Sequence, residues 1–358
     1  MRVLVDVTHP AHVHLFRNAI VELCADGHDV HVTSREKDLT TDLLDLYGIP
    51  HTPISAREGG TLGLVREWTV RELRTARVAR AFDPDVVLSH LNPSAAHAAW
   101  LTGASAVVFH DDYEQTHKVA RVTTPFVSAM ATPSRIECDL DERHVRYDGY
   151  HELAYLHPER FDPNPARLRA QGVDPDDEYY VLRFVSWEAH HDIGEHGLDR
   201  EAKRELVEYL DDRGTVYITT EGDLPEEFAA HQLPCDPTAI HDLLAFANLY
   251  VGDSQTMATE AAVLGTPAVR SNSFVGDGDM SNFVELEDYY GLLVNAAGPD
   301  EALSAVRDLV SDPETPIRWE RRRERLLEEK IDVTDLMLDL VYEHGGETRS
   351  PDRREVTA

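Results

Sequence analysis

The sequence predicts an α/β protein made of two tandem Rossmann-like, doubly wound domains. Three observations carry this prediction. β-Branched runs alternate with stretches of helical apolar spacing, the alternation breaks once near the middle at a cluster of prolines, and 358 residues exceed what one hydrophobic core usually serves.

Residues 2–7 (RVLVDV) form the first strand run, and Val13, Phe16, Ile20 and Leu23 follow at helical spacing. Gly27 closes that helix and DVHVTS (29–34) is the next strand, so the chain opens with a βαβ unit and a parallel sheet. The pattern continues through a helix near 38–47, a strand near 51–54, an Arg-rich helix near 62–82, and strands at 85–90 (DVVLSH) and 106–110 (AVVFH). The span 86–110 has no Asp, Glu, Lys or Arg, but His90, Asn92, Pro93, His97 and Gly103 interrupt it. It therefore reads as strand, helix and strand of a core and not as a membrane span.

Pro133, Pro158, Pro163, Pro165 and Pro175 change the rhythm, and a linker is expected within 155–178. A second alternation follows, with strands at 179–185, 215–220, 249–253 and 267–270 and helices at 200–212, 238–246, 255–264 and 299–311. The domains are accordingly assigned to residues 1–160 and 161–330. Charged and apolar helical runs at 319–330 and 335–344 end the fold, and 345–358 is expected to be a disordered tail.

The balance of 66 Asp plus Glu against 34 Lys plus Arg gives a net charge of -32, and only four of the basic residues are lysines. Such self-repulsion is tolerable where salt screens it, so the composition points to the salty cytoplasm of an extreme halophile. A pI near 4.8 without a basic run argues against nucleic acid as a partner. Cys24, Cys138 and Cys235 form no CxxC pair, which argues against a zinc ribbon or disulfide framework. MRVLVDV lacks the features of a secretory leader, so a cytoplasmic protein is expected.

The most informative segment is VGDSQTMATEAAVLGTP (251–267). A strand ends at Gly252, Asp253 and Ser254 can cap the next helix, and the first turn, with Gln255 and Thr256, offers backbone N–H groups to an anion. Glu260 lies one turn beyond Thr256 on the same face, where it can meet a sugar hydroxyl. A capped helix with an incidental carboxylate is the alternative.

That segment, with its VLGTP end, resembles the donor-binding helix of GT-B nucleotide-sugar enzymes, including UDP-N-acetylglucosamine 2-epimerases and glycosyltransferases. Together with DVTHPAHVHLFRNAI at the start and FVSWEAHHDIG in the middle, it resembles an archaeal and bacterial domain-of-unknown-function family, number three-five-four, over nearly the whole chain. The resemblance implies a GT-B-like fold with two domains facing a cleft that holds the active site.

In THPAHVHLF (8–16), Pro10 suits a first helical turn with His9 or Thr8 as cap, placing His9 and His12 just after strand one. The resemblance puts this loop at the cleft and implies that a histidine there acts as base, which gives His12 that role and His9 a substrate contact. Capping is the alternative for either. His14 is expected on the surface. In FHDDYEQTHK (109–118), Asp111 is the competing base and Asp112 and Glu114 are expected to bind substrate; the resemblance implies carboxylates from the first domain at the site, and an incidental carboxylate of an acidic chain is the alternative for each.

In LRFVSWEAHHDIGEH (182–196), Arg183, Ser186 and Trp187 can hold a base or diphosphate. His190, His191, Asp192, Glu195 and His196 lack zinc spacing such as HExxH, so no metal is expected.

The reading is a metal-independent, nucleotide-sugar-dependent glycosyltransferase with no cofactor beyond its UDP-sugar substrate. It would act on a glycan or lipid-linked acceptor with at most peripheral membrane contact. A non-hydrolysing 2-epimerase and a catalytically idle nucleotide-sugar or glycan binder are the alternatives.

Overall fold

The structure, a computed structural model, describes residues 1–56, 60–136, 141–184, 198–220, 224–271 and 279–349. The chain divides into two compact units, residues 1–161 with 330–358, and residues 162–329. Among the described residues no helix is long and apolar enough to cross a membrane.

Unit 1 alternates strand and helix: β1 (Arg2–Val7), α1 (Pro10–Ala25), β2 (Asp29–Glu36), α2 (Thr40–Leu46), β3 (His51–Ala56), α3 (Gly60–Phe82), β4 (Val86–His90), α4 (Pro93–Thr102), β5 (Ser105–Phe109), α5 (Tyr113–Thr123), β6 (Ala129–Pro133), β7 (His144–Tyr147) and α6 (Leu153–Leu156). The strands pair in parallel in the order β3-β2-β1-β4-β5-β6-β7. Helices cover both faces of such a sheet, which is why β1 reads as a near-continuous apolar run with Val3, Leu4, Val5 and Val7 all fully buried. The order reverses between β1 and β4, so the chain leaves those two strands in opposite directions and opens a crevice at their carboxyl ends.

Asp6 interrupts the β1 run and is buried. Its carboxylate accepts two bonds from Arg71 Nη2 of α3 at 2.6 and 2.7 Å and one from Thr33 Oγ1 of β2 at 2.7 Å. Asn92 Nδ2, from the turn after β4, donates a further bond. Arg71 Nη1 reaches Ser55 Oγ of β3 at 2.9 Å. One buried ion pair thus ties the three strands, α3 and the β4–α4 turn together beneath the crevice.

Unit 2 contains α7 (Pro165–Ala170), β8 (Tyr179–Phe184), α8 (Arg200–Asp211), β9 (Thr215–Thr220), α9 (Ile240–Phe246), β10 (Leu249–Gly252), α10 (Gln255–Leu264), β11 (Ala268–Ser271), α11 (Ser281–Val284), a π-helical turn (Glu285–Tyr290), β12 (Leu293–Ala296), α12 (Pro299–Ser311) and α13 (Thr315–Glu329). Its parallel sheet has the order β12-β11-β10-β8-β9, with the reversal between β8 and β10. The last helix, α14 (Val333–His344), returns to unit 1 and packs on α1 and α6.

Two differences from the sequence reading have simple causes. β6, β7 and β12 went unrecognised because AMATP, HVRY and LVNA are only four or five residues long and lack a β-branched run. His14 is buried and not on the surface, because α1 is covered on the side where α2 and α6 bring Tyr47 and Tyr155 against the imidazole.

Acidic side chains cluster around the available arginines. Arg160 holds Glu22, Asp332 and Asp335, and Arg349 holds Glu22, Asp335 and Asp339. A net excess of 32 negative charges nevertheless remains. Folding and solubility are therefore expected to require molar salt. A far-UV spectrum and thermal midpoint that do not change between about 0.1 M and about 3 M KCl would sink this expectation.

Candidate active site

The carboxyl ends of β1, β4 and β5 bring together a cluster of histidines around one carboxylate. After β1, His9 takes extended backbone and caps α1, its Nδ1 accepting from Ala11 N at 3.3 Å, while Pro10 occupies the first helical position, where its missing N–H costs nothing. His12 follows in the first turn with Nδ1 3.1 Å from Thr8 Oγ1. β4 ends on His90, and His110 and Asp111 follow β5 directly.

The His12 ring stacks on His90 with centroids 4.4 Å apart and planes 24° from parallel. Asp111 Oδ1 accepts from His90 Nε2 at 3.2 Å and Oδ2 from His151 Nδ1 at 3.1 Å. The edge of His90 also meets His110 and His151, at 5.2 and 5.6 Å between centroids. Thr116 Oγ1 of α5 lies 2.7 Å from His110 Nε2. His90, His110 and Asp111 each offer a ligand atom to a metal, and these atoms lie within 4.8 Å of one another.

Burial first, and then neighbouring His90 and His9, push the His12 pKa well below the usual imidazole range, so His12 is neutral near pH 7. Burial and then Lys37 lower His9 to about 4, and burial and then His90 lower His110 to about 3. Burial alone would raise Asp111, but His151 and His90 outweigh it and hold the carboxyl well below the usual carboxylate range. A neutral imidazole beside an ionised carboxylate can accept a proton from a hydroxyl or an acidic C–H.

These shifts set a pH window for stability. An unfolded histidine takes up a proton near 6.5, whereas His9 and His110 stay neutral in the fold down to about 4 and about 3. The unfolded chain thus binds more protons below 6.5, and the stabilisation present above that pH is lost as pH falls towards 4. Urea midpoints at constant high salt are expected to drop between about pH 7 and about pH 4.5. A flat or rising midpoint would contradict the shifts.

Of the residues expected from sequence, His9, His12 and Asp111 converge here. Asp112 sits at the N-cap of α5, its carbonyl accepting from Thr116 Oγ1. The Glu114 side chain lies outside the described residues. Sequence reasoning missed His90, His110 and His151. The first two had a signal, since each ends or follows an apolar strand run of a parallel sheet, and such a position faces the carboxyl edge. His151, in a loop after β7, had none.

In unit 2 the corresponding edge is formed after β8 and β10. Gly252 ends β10 beside Arg183 of β8, and a Cβ there would stand 2.5 Å from the Arg183 carbonyl and 2.6 Å from Tyr250 Oη, so only glycine fits. Ser254 caps α10, its Oγ accepting from Met257 N at 3.4 Å. Half-buried Gln255 and Thr256 follow in the first turn. Arg183 Nη1 donates to Thr219 Oγ1 at 3.0 Å.

Glu260 is buried, and its Oε1 accepts from His241 Nε2 of α9 at 2.9 Å. Arg270, in register with Gly252, is wholly buried. Its Nε donates to Asn295 Oδ1 at 2.7 Å, its Nη2 donates to Asp279, and its guanidinium lies 3.6 Å over Phe283. Ser186, Trp187 and the histidines at 190, 191 and 196 lie outside the described residues.

A family model described as protein of unknown function (DUF354) matches residues 1–345. No curated protein matches the chain. Among solved structures, the chain is similar to a UDP-GlcNAc 2-epimerase from Neisseria meningitidis bound to UDP-GlcNAc (12% identity, 96% of this chain and 100% of that one, TM-score 0.69). It is also similar to MnaA of S. aureus with UDP (13%, 98% of each chain, TM-score 0.65). A third likeness is to the spinosyn rhamnosyltransferase SpnG with spinosyn aglycone (13%, 95% of this chain and 100% of that one, TM-score 0.58). At these identities the likeness establishes the fold, the two parallel α/β sheets of GT-B epimerases and glycosyltransferases.

Proposed function

The chain belongs to the DUF354 family, and from that premise we propose that it is a cytoplasmic nucleotide-sugar enzyme, a glycosyltransferase that moves a sugar from a UDP-type donor to a hydroxyl of a glycan or lipid-linked acceptor. The observation that carries the reading is α10, whose capped N-terminus opens directly off β10 at the switch point of its sheet, beside Arg183. Leaving diphosphate gains negative charge as the glycosidic bond breaks, and the helix N-terminus and Arg183 stabilise it without a metal at the phosphates. Relatives of this fold with UDP-GlcNAc, UDP or an aglycone bound support the substrate class.

Unit 1 supplies the base. With His12 Nδ1 engaged by Thr8, Nε2 is the atom that takes the acceptor proton as the acceptor oxygen bonds to the sugar. No organic cofactor enters. A second reading, 2-epimerisation, is favoured by Asp111, an ionised carboxylate bonded to His90, the ring on which His12 stacks. Incubation with UDP-sugars, with and without an acceptor panel, separates the readings. Turnover that needs an acceptor supports transfer, a new UDP-sugar without acceptor replaces it by epimerisation, and binding without turnover leaves an idle binder.

Glu260 tests the donor side. Replacement by Gln keeps an acceptor for His241 and so separates a binding effect from a folding one. If Glu260 holds ribose hydroxyls, Glu260→Gln is expected to weaken UDP binding by about 1–3 kcal/mol, the range for a charged hydrogen bond. Calorimetric titration checks this, and equal affinities would remove Glu260 from the donor site.

A further inference from the structure

We propose that unit 1 carries a site for a divalent first-row transition metal, with His90, His110 and Asp111 as its protein ligands. This revises the expectation, drawn from the spacing of residues 190–196, that no metal binds. The donor set is two imidazoles and one carboxylate on the carboxyl edge of a sheet, and their ligand atoms lie within 4.8 Å of one another. Nitrogen donors select zinc, cobalt, nickel or iron over magnesium and calcium, which take oxygen shells.

The spacing suits such an ion. His90 Nε2 and Asp111 Oδ1 are 3.2 Å apart, against about 3.3 Å for the edge of a tetrahedron with bonds of about 2.0 Å, and the ion would replace the proton that now joins them, which leaves to solvent. The ligands are also held from behind, as metal ligands usually are: Asp111 Oδ2 by His151 Nδ1 at 3.1 Å, and the His110 ring by Thr116 Oγ1 at 2.7 Å.

His90 and Asp111 are only partly buried, with side chains 19% and 34% exposed, so an ion can enter and keep open positions for a substrate oxygen. A second trio, His157, Glu159 and Asp332, does not qualify, because Asp332 is already taken by Arg160 and by the cap of α14.

The ion would use Asp111 as a ligand and leave His12, stacked on His90, as the free base. The site lies wholly in unit 1, whereas the donor reading rests on unit 2, so either can fail without the other. UDP titration of metal-free protein tests the donor reading alone.

The test uses untagged full-length protein stripped with chelator and titrated with Co²⁺ alone. One equivalent is expected to bind with visible d–d bands and to be displaced by Zn²⁺. His90→Gln and Asp111→Asn, checked for an unchanged far-UV spectrum, are expected to weaken Co²⁺ binding about 100-fold or more, whereas surface Asp42→Asn leaves it unchanged. X-ray absorption of the zinc-loaded wild type needs no variant and is expected to show two imidazoles in the first shell. Absence of stoichiometric binding, full binding in both ligand variants, or an all-oxygen shell each overturns the proposal.

Discussion

His12→Ala is expected to reduce turnover roughly 100-fold or more while UDP affinity stays at the wild-type value. The lost interaction acts on the acceptor proton in the transition state, and no part of the donor site depends on it. Because burial and the neighbouring imidazoles lower the His12 pKa, the acidic limb of the wild-type rate profile lies below the ordinary histidine range. The base is deprotonated, and therefore active, above that limb, and activity is lost as pH falls through it. In the variant the limb should vanish. Normal turnover of His12→Ala on a verified acceptor would transfer the role to Asp111, and a wild-type limb near pH 6.5 would contradict the buried, neutral imidazole.

Asp6→Ala is expected to be strongly destabilising, by about 3–5 kcal/mol, because it strands a buried guanidinium. Arg71 is only 5% exposed and would keep a single side-chain partner, Ser55. The loss should come from the unpaired charge and not from the pair as such, so joint replacement by apolar residues of similar volume, Asp6→Leu with Arg71→Met, should cost far less. Denaturant titration at constant high salt measures both. A loss under about 1 kcal/mol for Asp6→Ala would mean that water reaches Arg71 in the variant and that the pair is dispensable.

The course of the chain was legible where sequence pattern and tertiary environment agree. β1, β9 and α10 fall where their apolar runs and caps place them, because each element is long enough, or capped sharply enough, to declare its period. The short strands β6, β7 and β12 depend on neighbours already in the sheet, and four or five residues cannot show a period. The candidate site divides in the same way. His9 and His12 are local to one loop and were visible, whereas the contacts of Asp111 join residues 21 and 40 positions away in sequence. Only the closing of the sheet brings His90 and His151 to that carboxylate. Asp6 was hidden for another reason: within RVLVDV it resembles a tolerated polar residue at a strand end, and its partner lies 65 residues on.

The return of α14 to unit 1 bears on how the protein is made. Met337, Leu338 and Val341 are buried there, Tyr342 Oη donates to Asp26, and the Met1 ammonium pairs with Glu347. A ribosome releases the whole of unit 2 before it releases α14. Residues 1–161 must therefore wait with the underside of α1 uncovered, while residues 162–329 form a compact unit of their own. Synthesis order and assembly order are inverted. A nascent chain arrested before Val333 leaves unit 1, with its entire histidine cluster, as the vulnerable part, although it was translated first.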